Sequence, residues 1–220
     1  SGFAVWRGRR TVQVQDDFTN RVELVEKIDW PQRLRWILLS FAPSSLLLGV
    51  TLHISTDVAA APFIWVVPLA IYLLTFVFVF ARKPILKHEW MLHLQVFMLI
   101  SLAVYFTVNL LWLVFFVHLM GLFVTAMVCH GELARQRPVT RHLTEFYLWM
   151  SVGGTLGGVF SALVAPVLFD TVLEYPLTIV IACLLRPTLV QGGRRVQFFD
   201  VALPAVLAGI LVLQKNSVFF

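Results

Sequence analysis

The chain has 220 residues, of which 59% are hydrophobic and only 13% charged, and its mean hydropathy is +0.85; a soluble domain carries roughly a quarter charged residues. This balance excludes a sizeable water-soluble core and places the chain among integral membrane proteins. The formal net charge of +5 does not point to nucleic acid, because the basic residues flank apolar runs instead of gathering on one soluble surface with readout elements, and no nucleic-acid partner is expected.

Residues 1–35 read as a cytoplasmic connection. "SGFAVWRGRR" has the character of the last turn of an apolar helix running into a basic flank, so an earlier helix is expected before it. Residues 11–35 mix Asp16, Asp17, Glu23, Glu26 and Asp29 with Arg21, Lys27, Arg33 and Arg35. The spacing of Val22, Val25 and Ile28, with Trp30 and Trp36 beside them, suits either a short amphipathic helix on the membrane or a solvated linker.

A bilayer core about 30 Å thick needs ~20 mostly apolar residues per helix. Seven segments are candidates: 36–54, 62–81, 90–107, 110–129, 143–166, 171–186 and 198–214. The expected fold is an all-α integral membrane bundle of about seven transmembrane helices over residues 36–214, part of a larger helical domain, with 215–220 as a truncated or extracytoplasmic end. The sixth segment is the weakest, being short and containing Glu174 and Pro176. Lys and Arg favour cytoplasmic flanks, and here they occupy every second connection: up to Arg35, at Arg82, Lys83 and Lys87, at Arg135, Arg137 and Arg141, and at Arg186, Arg194 and Arg195. The N-terminal side is therefore expected inside, with Lys215 alone on the wrong side.

Pro43, with Ser44 and Ser45, is expected to interrupt the first segment, and Pro68 lies inside the second. Between them "HISTDVAAAP" sets His53, Thr56 and Asp57 at the outer interface. Broken helices beside polar groups characterise transporter sites, and simple kinks give the same pattern. His93 and His118, in the third and fourth segments, could approach across a hairpin as buried hydrogen-bonding groups. No carboxylate or thiolate stands at metal-ligand spacing beside them, so neither a metal nor a cofactor is expected. Cys129 and Cys183 fall at expected cytoplasmic helix ends, where buried thiols are favoured over a disulfide.

The run "HGELARQRPVTRHLTEFYLWMSVGGTLGGVFSALVAP", residues 130–166, concentrates the polar residues. Helix four is expected to end at His130-Gly131-Glu132, with Pro138 sharpening the stop and a loop of about 10 residues following. Glu132 and Arg135 are three apart, and Arg141 and Glu145 four apart, spacings that bring side chains together on a helix face. The cluster His130, Glu132, Arg135, Arg137, Arg141, His142 and Glu145 thus reads as an ion-paired loop orienting two helices, or as a contact for an anion, a lipid headgroup or a substrate. His130-Gly131-Glu132 has the H-x-E form of zinc deaminases without their P-C-x-x-C partner, and no catalytic residue is assigned. Gly153, Gly157, Ser161 and Ala165 recur every four residues, with Gly154, Gly158 and Ala162 as a second row. Such small faces let transmembrane helices approach closely.

The stretches "FAPSSLLLGVTLHISTDVAAAPFIWVVPLAIYLLTFVFVFAR" (41–82) and "CHGELARQRPVTRHLTEFYLWMSVGGTLGGVFSALVAPVLF" (129–169) resemble the membrane region of bacterial fused spermidine synthase-like proteins. The similarity spans residues 30–190 approximately. Its most specific parts are Pro43 to Thr51, Thr56 to Ala60, His130 to Pro138 and Arg141 to Tyr147. In that family a multi-helix membrane part, likened to major facilitator transporters, precedes a cytosolic Rossmann-like aminopropyltransferase domain. The resemblance implies a bacterial inner-membrane location and a catalytic domain elsewhere in a longer chain, since the glycine-rich nucleoside-binding motif is missing from these residues. Two readings follow. In one, the chain anchors a synthase-like domain and binds or moves a small cationic amine, with Asp57, Glu132 and Glu145 as candidate acidic groups. In the other it is an accessory subunit whose glycine face docks against helices of a larger membrane complex.

Overall fold

The computed structural model describes residues 28–57, 65–81, 88, 90–95, 98, 111–169 and 174–185. Every regular element among the described residues is helical: α1 (Trp30–Asp57), α2 (Val66–Phe80), α3 (Leu111–Arg135), a 3₁₀ turn (Thr140–His142), α4 (Leu143–Val159), a π turn (Phe160–Val164), α5 (Ala165–Leu168) and α6 (Glu174–Leu184). Residues 90–95 are helical as well. The chain divides into a unit ending at Leu34 and one beginning at Arg35. In the first, the Asp29 carbonyl accepts the amides of Gln32 and Arg33 and so starts α1.

Among the described residues three helices are long and apolar enough to cross a membrane: Trp30–Ser55, Phe115–Arg135 and Thr140–Leu168. They correspond to the first, fourth and fifth expected segments. The expectation of seven is not supported. α2 has 15 residues, about 22 Å at 1.5 Å per residue, short of a ~30 Å hydrocarbon core. α6, with 11 residues, is shorter still. Most of segment 90–107, all of 198–214, the N-terminal 27 residues with their amphipathic stretch, and the basic groups Arg82, Lys83, Lys87, Arg186, Arg194, Arg195 and Lys215 lie outside the described residues.

The expectation for Pro43 needs correction. α1 continues through Pro43 without interruption. The hydroxyls beside it reach other elements: Ser44 Oγ donates to the Gly154 carbonyl at 2.8 Å, and Ser45 Oγ lies 2.7 Å from Ser161 Oγ and 3.0 Å from Thr178 Oγ1. Pro68 lies within α2, as expected, and is its third residue. In the first turn its missing N–H costs nothing, because no intrahelical carbonyl is available to that position.

α1 is the hub of the second unit. Gly153 of α4 lies against the backbone of Ile37 and the Ser40 hydroxyl, Gly157 against the Phe41 carbonyl and the Ser45 amide, and Ser161 donates to the Ser45 carbonyl at 3.1 Å. Position numbers rise together on both sides, so α1 and α4 run in the same direction. Trp36 meets Phe146 edge-on at 5.1 Å, and Phe41 meets Phe160 at 5.5 Å, closing the seam with aromatic rings. Against α3 the sense reverses: Arg35 pairs with Glu132 and His53 stacks on His118. Between those contacts sits an apolar layer of Leu46, Val50, Ile54, Leu119, Leu122, Ile179 and Cys183, every one of them buried.

The π turn has a cause in the sequence. Pro166 has no N–H for the Ala162 carbonyl, and its ring would crowd that carbonyl in a regular helix. The helix widens instead, the Ala165 amide bonding back to Phe160. A wider turn of this kind re-aims side chains, and here it accompanies Ser161 on Ser45.

Candidate functional site

The triplet His130-Gly131-Glu132 stands in the last turns of α3, which runs on to Arg135. The expected helix end at Glu132 and the loop of about 10 residues are therefore corrected: only Gln136 to Val139 separate α3 from the 3₁₀ turn. The helix is carried past Glu132 by the Gln136 amide, bonded to the Glu132 and Leu133 carbonyls, and by the Arg137 amide on the Ala134 carbonyl.

Each member of the triplet meets a different element. His130 is fully buried and turns to α2, where its ring stacks on Phe76 at 3.7 Å and meets Tyr72 edge-on at 5.3 Å. Its Nδ1 lies 2.9 Å from Thr75 Oγ1. The Thr75 hydroxyl has one proton and gives it to the Tyr72 carbonyl at 2.6 Å, so the imidazole must donate through Nδ1. In the neutral ring this leaves a lone pair on Nε2, which is buried with no hydrogen-bond partner among the described residues. Gly131 admits His88: a Cβ there would stand 2.5 Å from His88 Nδ1. Glu132 turns to α1. Its Oε1 accepts from Arg35 Nη2 at 3.0 Å and from Gln136 Nε2 at 2.8 Å, while Oε2 lies 3.8 Å from His88 Nε2, beyond hydrogen-bond length.

Toward the middle of α1 lies a second polar group. Thr178, Ser45 and Ser161 join α6, α1 and the π turn through buried hydroxyls. At the far end of α1 the rings of His53 and His118 lie 4.3 Å apart, tilted by 36°. His118 therefore meets α1, and His93 is exposed. Along α1, Arg35 and His53 are separated by roughly 27 Å at 1.5 Å per residue. The polar groups thus occupy both ends and the centre of a hub that is otherwise apolar.

The anticipated ion pairs are not formed as spacing suggested. Glu132 chooses Arg35 over Arg135. Glu145 lies 3.7 Å from His142 Nδ1 and accepts from Trp149 Nε1 at 3.4 Å, not from Arg141. Arg135, Arg137 and Arg141 are exposed. Of the small-residue rows, Gly153, Gly157, Ser161 and Ala165 are buried. In the second row Gly154 has open space at its Cβ position, Gly158 has only Leu48 at 4.0 Å, and Ala162 is exposed. The side chains of Thr56 and Asp57 lie outside the described residues.

Sequence reasoning missed Arg35, Tyr72, Thr75, Phe76, His88, Gln136 and Thr178. Arg35 carried a signal, as a basic residue one position before a long apolar run; the others are ordinary residues made significant by the fold. Cys129 and Cys183 are free and buried. Among the described residues no three His, Cys, Asp or Glu side chains converge as a metal would require. Neither a known family, nor a curated protein, nor a solved structure matches the chain.

Proposed function

We propose that this chain is the membrane domain of a fused spermidine synthase-like protein of the bacterial inner membrane, anchoring a synthase-like domain and presenting Glu132 to a small cationic amine. One observation carries the reading: the two stretches that resemble that family, 41–82 and 129–169, pack against each other through their distinctive residues. Ser44 meets Gly154, Ser45 meets Ser161, Gly157 meets Phe41, and His130 meets Thr75. Motifs far apart in sequence thereby become one packed unit. The opposed directions of α1 and α3, and the shared direction of α1 and α4, fit a chain that recrosses the bilayer on successive segments, with the remaining spans of the expected seven supplied by the other apolar runs. For the accessory-subunit reading, the face of Gly153 and Gly157 is filled by α1 of the same chain, while Gly154 meets nothing within 4 Å and Ala162 is exposed.

The amine follows from a surplus of acceptors. An ammonium group has three donors and no acceptor. Glu132 is 7% exposed, and its Oε2 has no hydrogen-bond donor among the described residues. Arg35 and Gln136 engage only the other oxygen.

The test is an assay of washed native membranes for aminopropyl transfer to a diamine. The activity should sediment with the membrane, resist a carbonate wash and co-purify with this chain in detergent. Activity confined to the soluble fraction, or none in the purified protein, overturns the anchoring role. Labelled spermidine should bind the purified protein saturably, and Glu132→Gln should weaken it about tenfold, as loss of roughly 1.4 kcal/mol would; unchanged binding removes the amine site.

A further inference from the structure

The turn between α3 and α4 holds three arginines, and the carboxylates expected to pair with two of them are engaged elsewhere. Glu132, three residues before Arg135, is taken by Arg35 and Gln136. Glu145, four residues after Arg141, lies beside His142 and Trp149. Arg135, Arg137 and Arg141 are all exposed, and none makes a side-chain ion pair with a described residue.

These guanidinium groups fall within seven residues of a turn that is well fixed. The Gln136 amide reaches the Glu132 carbonyl at 3.1 Å, the Arg137 amide the Ala134 carbonyl at 3.4 Å, and the His142 amide the Val139 carbonyl at 3.0 Å. The elements on either side are two of the helices with membrane-spanning length. Exposed apolar side chains stand among the arginines and immediately beyond them: Val139 is 50% exposed, Tyr147 38% and Leu148 59%. Positive charge unpaired by any described residue, beside exposed apolar surface at the end of two helices of membrane-spanning length, is complementary to a phosphate layer above acyl chains. Guanidinium forks bind phosphate oxygens in pairs, and basic residues at this depth are drawn to anionic lipid.

We propose that Arg135, Arg137 and Arg141 form a binding site for the phosphate headgroup of an anionic phospholipid, with Val139, Tyr147 and Leu148 against its acyl chains. The site depends on α3 and α4 crossing the bilayer and not on the synthase or amine reading. A soluble phosphate shares the headgroup chemistry; the exposed apolar residues beside the arginines favour the lipid.

Native mass spectrometry of the intact purified protein, exposed to equal amounts of phosphatidylglycerol and phosphatidylcholine, tests this. The wild type should retain phosphatidylglycerol about tenfold over phosphatidylcholine, a factor within reach of three basic residues at an anionic surface. The triple variant Arg135→Gln, Arg137→Gln, Arg141→Gln should lose that preference. The corresponding lysine variant should keep part of it, because charge survives and the paired hydrogen bonds do not. Millimolar inorganic phosphate should leave retention unchanged. A triple variant that holds phosphatidylglycerol as well as the wild type overturns the proposal, and so does displacement by inorganic phosphate, which would assign a soluble anion. If the triple variant does not accumulate, Arg137→Gln alone, in the short link outside the helices, should lower retention measurably; an unchanged value there is equally contrary. Loss of a co-purifying acidic protein with lipid retention intact would assign the turn to a protein partner and also contradict the lipid site.

Discussion

Thr75 has a single hydroxyl proton, and its donation to the Tyr72 carbonyl fixes the ring nitrogen through which His130 must donate. Thr75→Val therefore leaves His130 Nδ1–H without an acceptor in a buried place, at a cost of roughly 1–3 kcal/mol; thermal unfolding in detergent should show the loss, while Thr75→Ser should keep most of the stability. Arg35 and Glu132 make a complementary case. Their pair is partly solvated, with 43% of the Arg35 side chain exposed, so its net worth is modest. Removing Arg35 alone nevertheless leaves a buried carboxylate with less compensation. Arg35→Gln should destabilise more than the double variant Arg35→Gln, Glu132→Gln, by about 1 kcal/mol or more; equal losses would show that the pair has no structural weight. At this scale the sequence was partly legible. It identified Glu132 and His130 as unusual in an apolar chain, but it assigned Glu132 to Arg135 by helical spacing. The error is physical: i,i+3 neighbours compete with residues on other helices, and Arg35, 97 positions away in sequence, approaches the same carboxylate with its guanidinium.

Between α1 and α4 the seam makes a sharper prediction, because adjacent glycines differ. A Cβ at Gly157 would meet the Phe41 carbonyl and the Ser45 amide, whereas one at Gly154 meets nothing within 4 Å. Gly157→Ala should destabilise the protein, since backbone atoms of α1 would have to move. Gly154→Ala should be neutral or gain up to about 1 kcal/mol from improved helix propensity. Unfolding midpoints of the two variants decide the matter, and identical behaviour would mean that α1 does not fill the groove. Interhelical hydrogen bonds in membranes average only ~0.6 kcal/mol, so Ser45→Ala should matter less than Gly157→Ala. The π turn yields a geometric test. With Pro166→Ala the regular ladder can re-form, Ser161 should swing away from Ser45, and disulfide formation in a Ser45→Cys, Ser161→Cys pair should fall; unchanged cross-linking would show that proline does not set the turn. The four-residue recurrence of small residues was visible in the sequence, including the row that is buried. What covers it was not, because a smooth face is equally suited to a helix of its own chain or of another. The Pro43 expectation failed for a related reason: whether Pro43 breaks a helix depends on the neighbours that hold the helix together, and these are tertiary.

For the molecule as a whole, composition and hydropathy established helices and a membrane-like class, because apolar excess on this scale has few other uses. Among the described residues they anticipated more spans than the three helices of spanning length, since an apolar run of sufficient length need not be one straight helix. α2 and α6 are shorter than their segments, while α1 extends beyond its own at both ends. Polar groups at either end of α1 and a hydroxyl group at its centre, separated by the layer of Leu46, Val50, Leu119 and Leu122, describe a scaffold whose polar contacts orient helices and whose Glu132 end is left with acceptor capacity. That arrangement is compatible with the anchoring role proposed above. The most direct measurement is the intact mass of the protein purified from its native membrane. A fused synthase-like protein predicts a mass well above 25.0 kDa, with peptides of this chain and of an aminopropyltransferase-like domain in one polypeptide. A mass near 25.0 kDa, with no such domain attached, would contradict it.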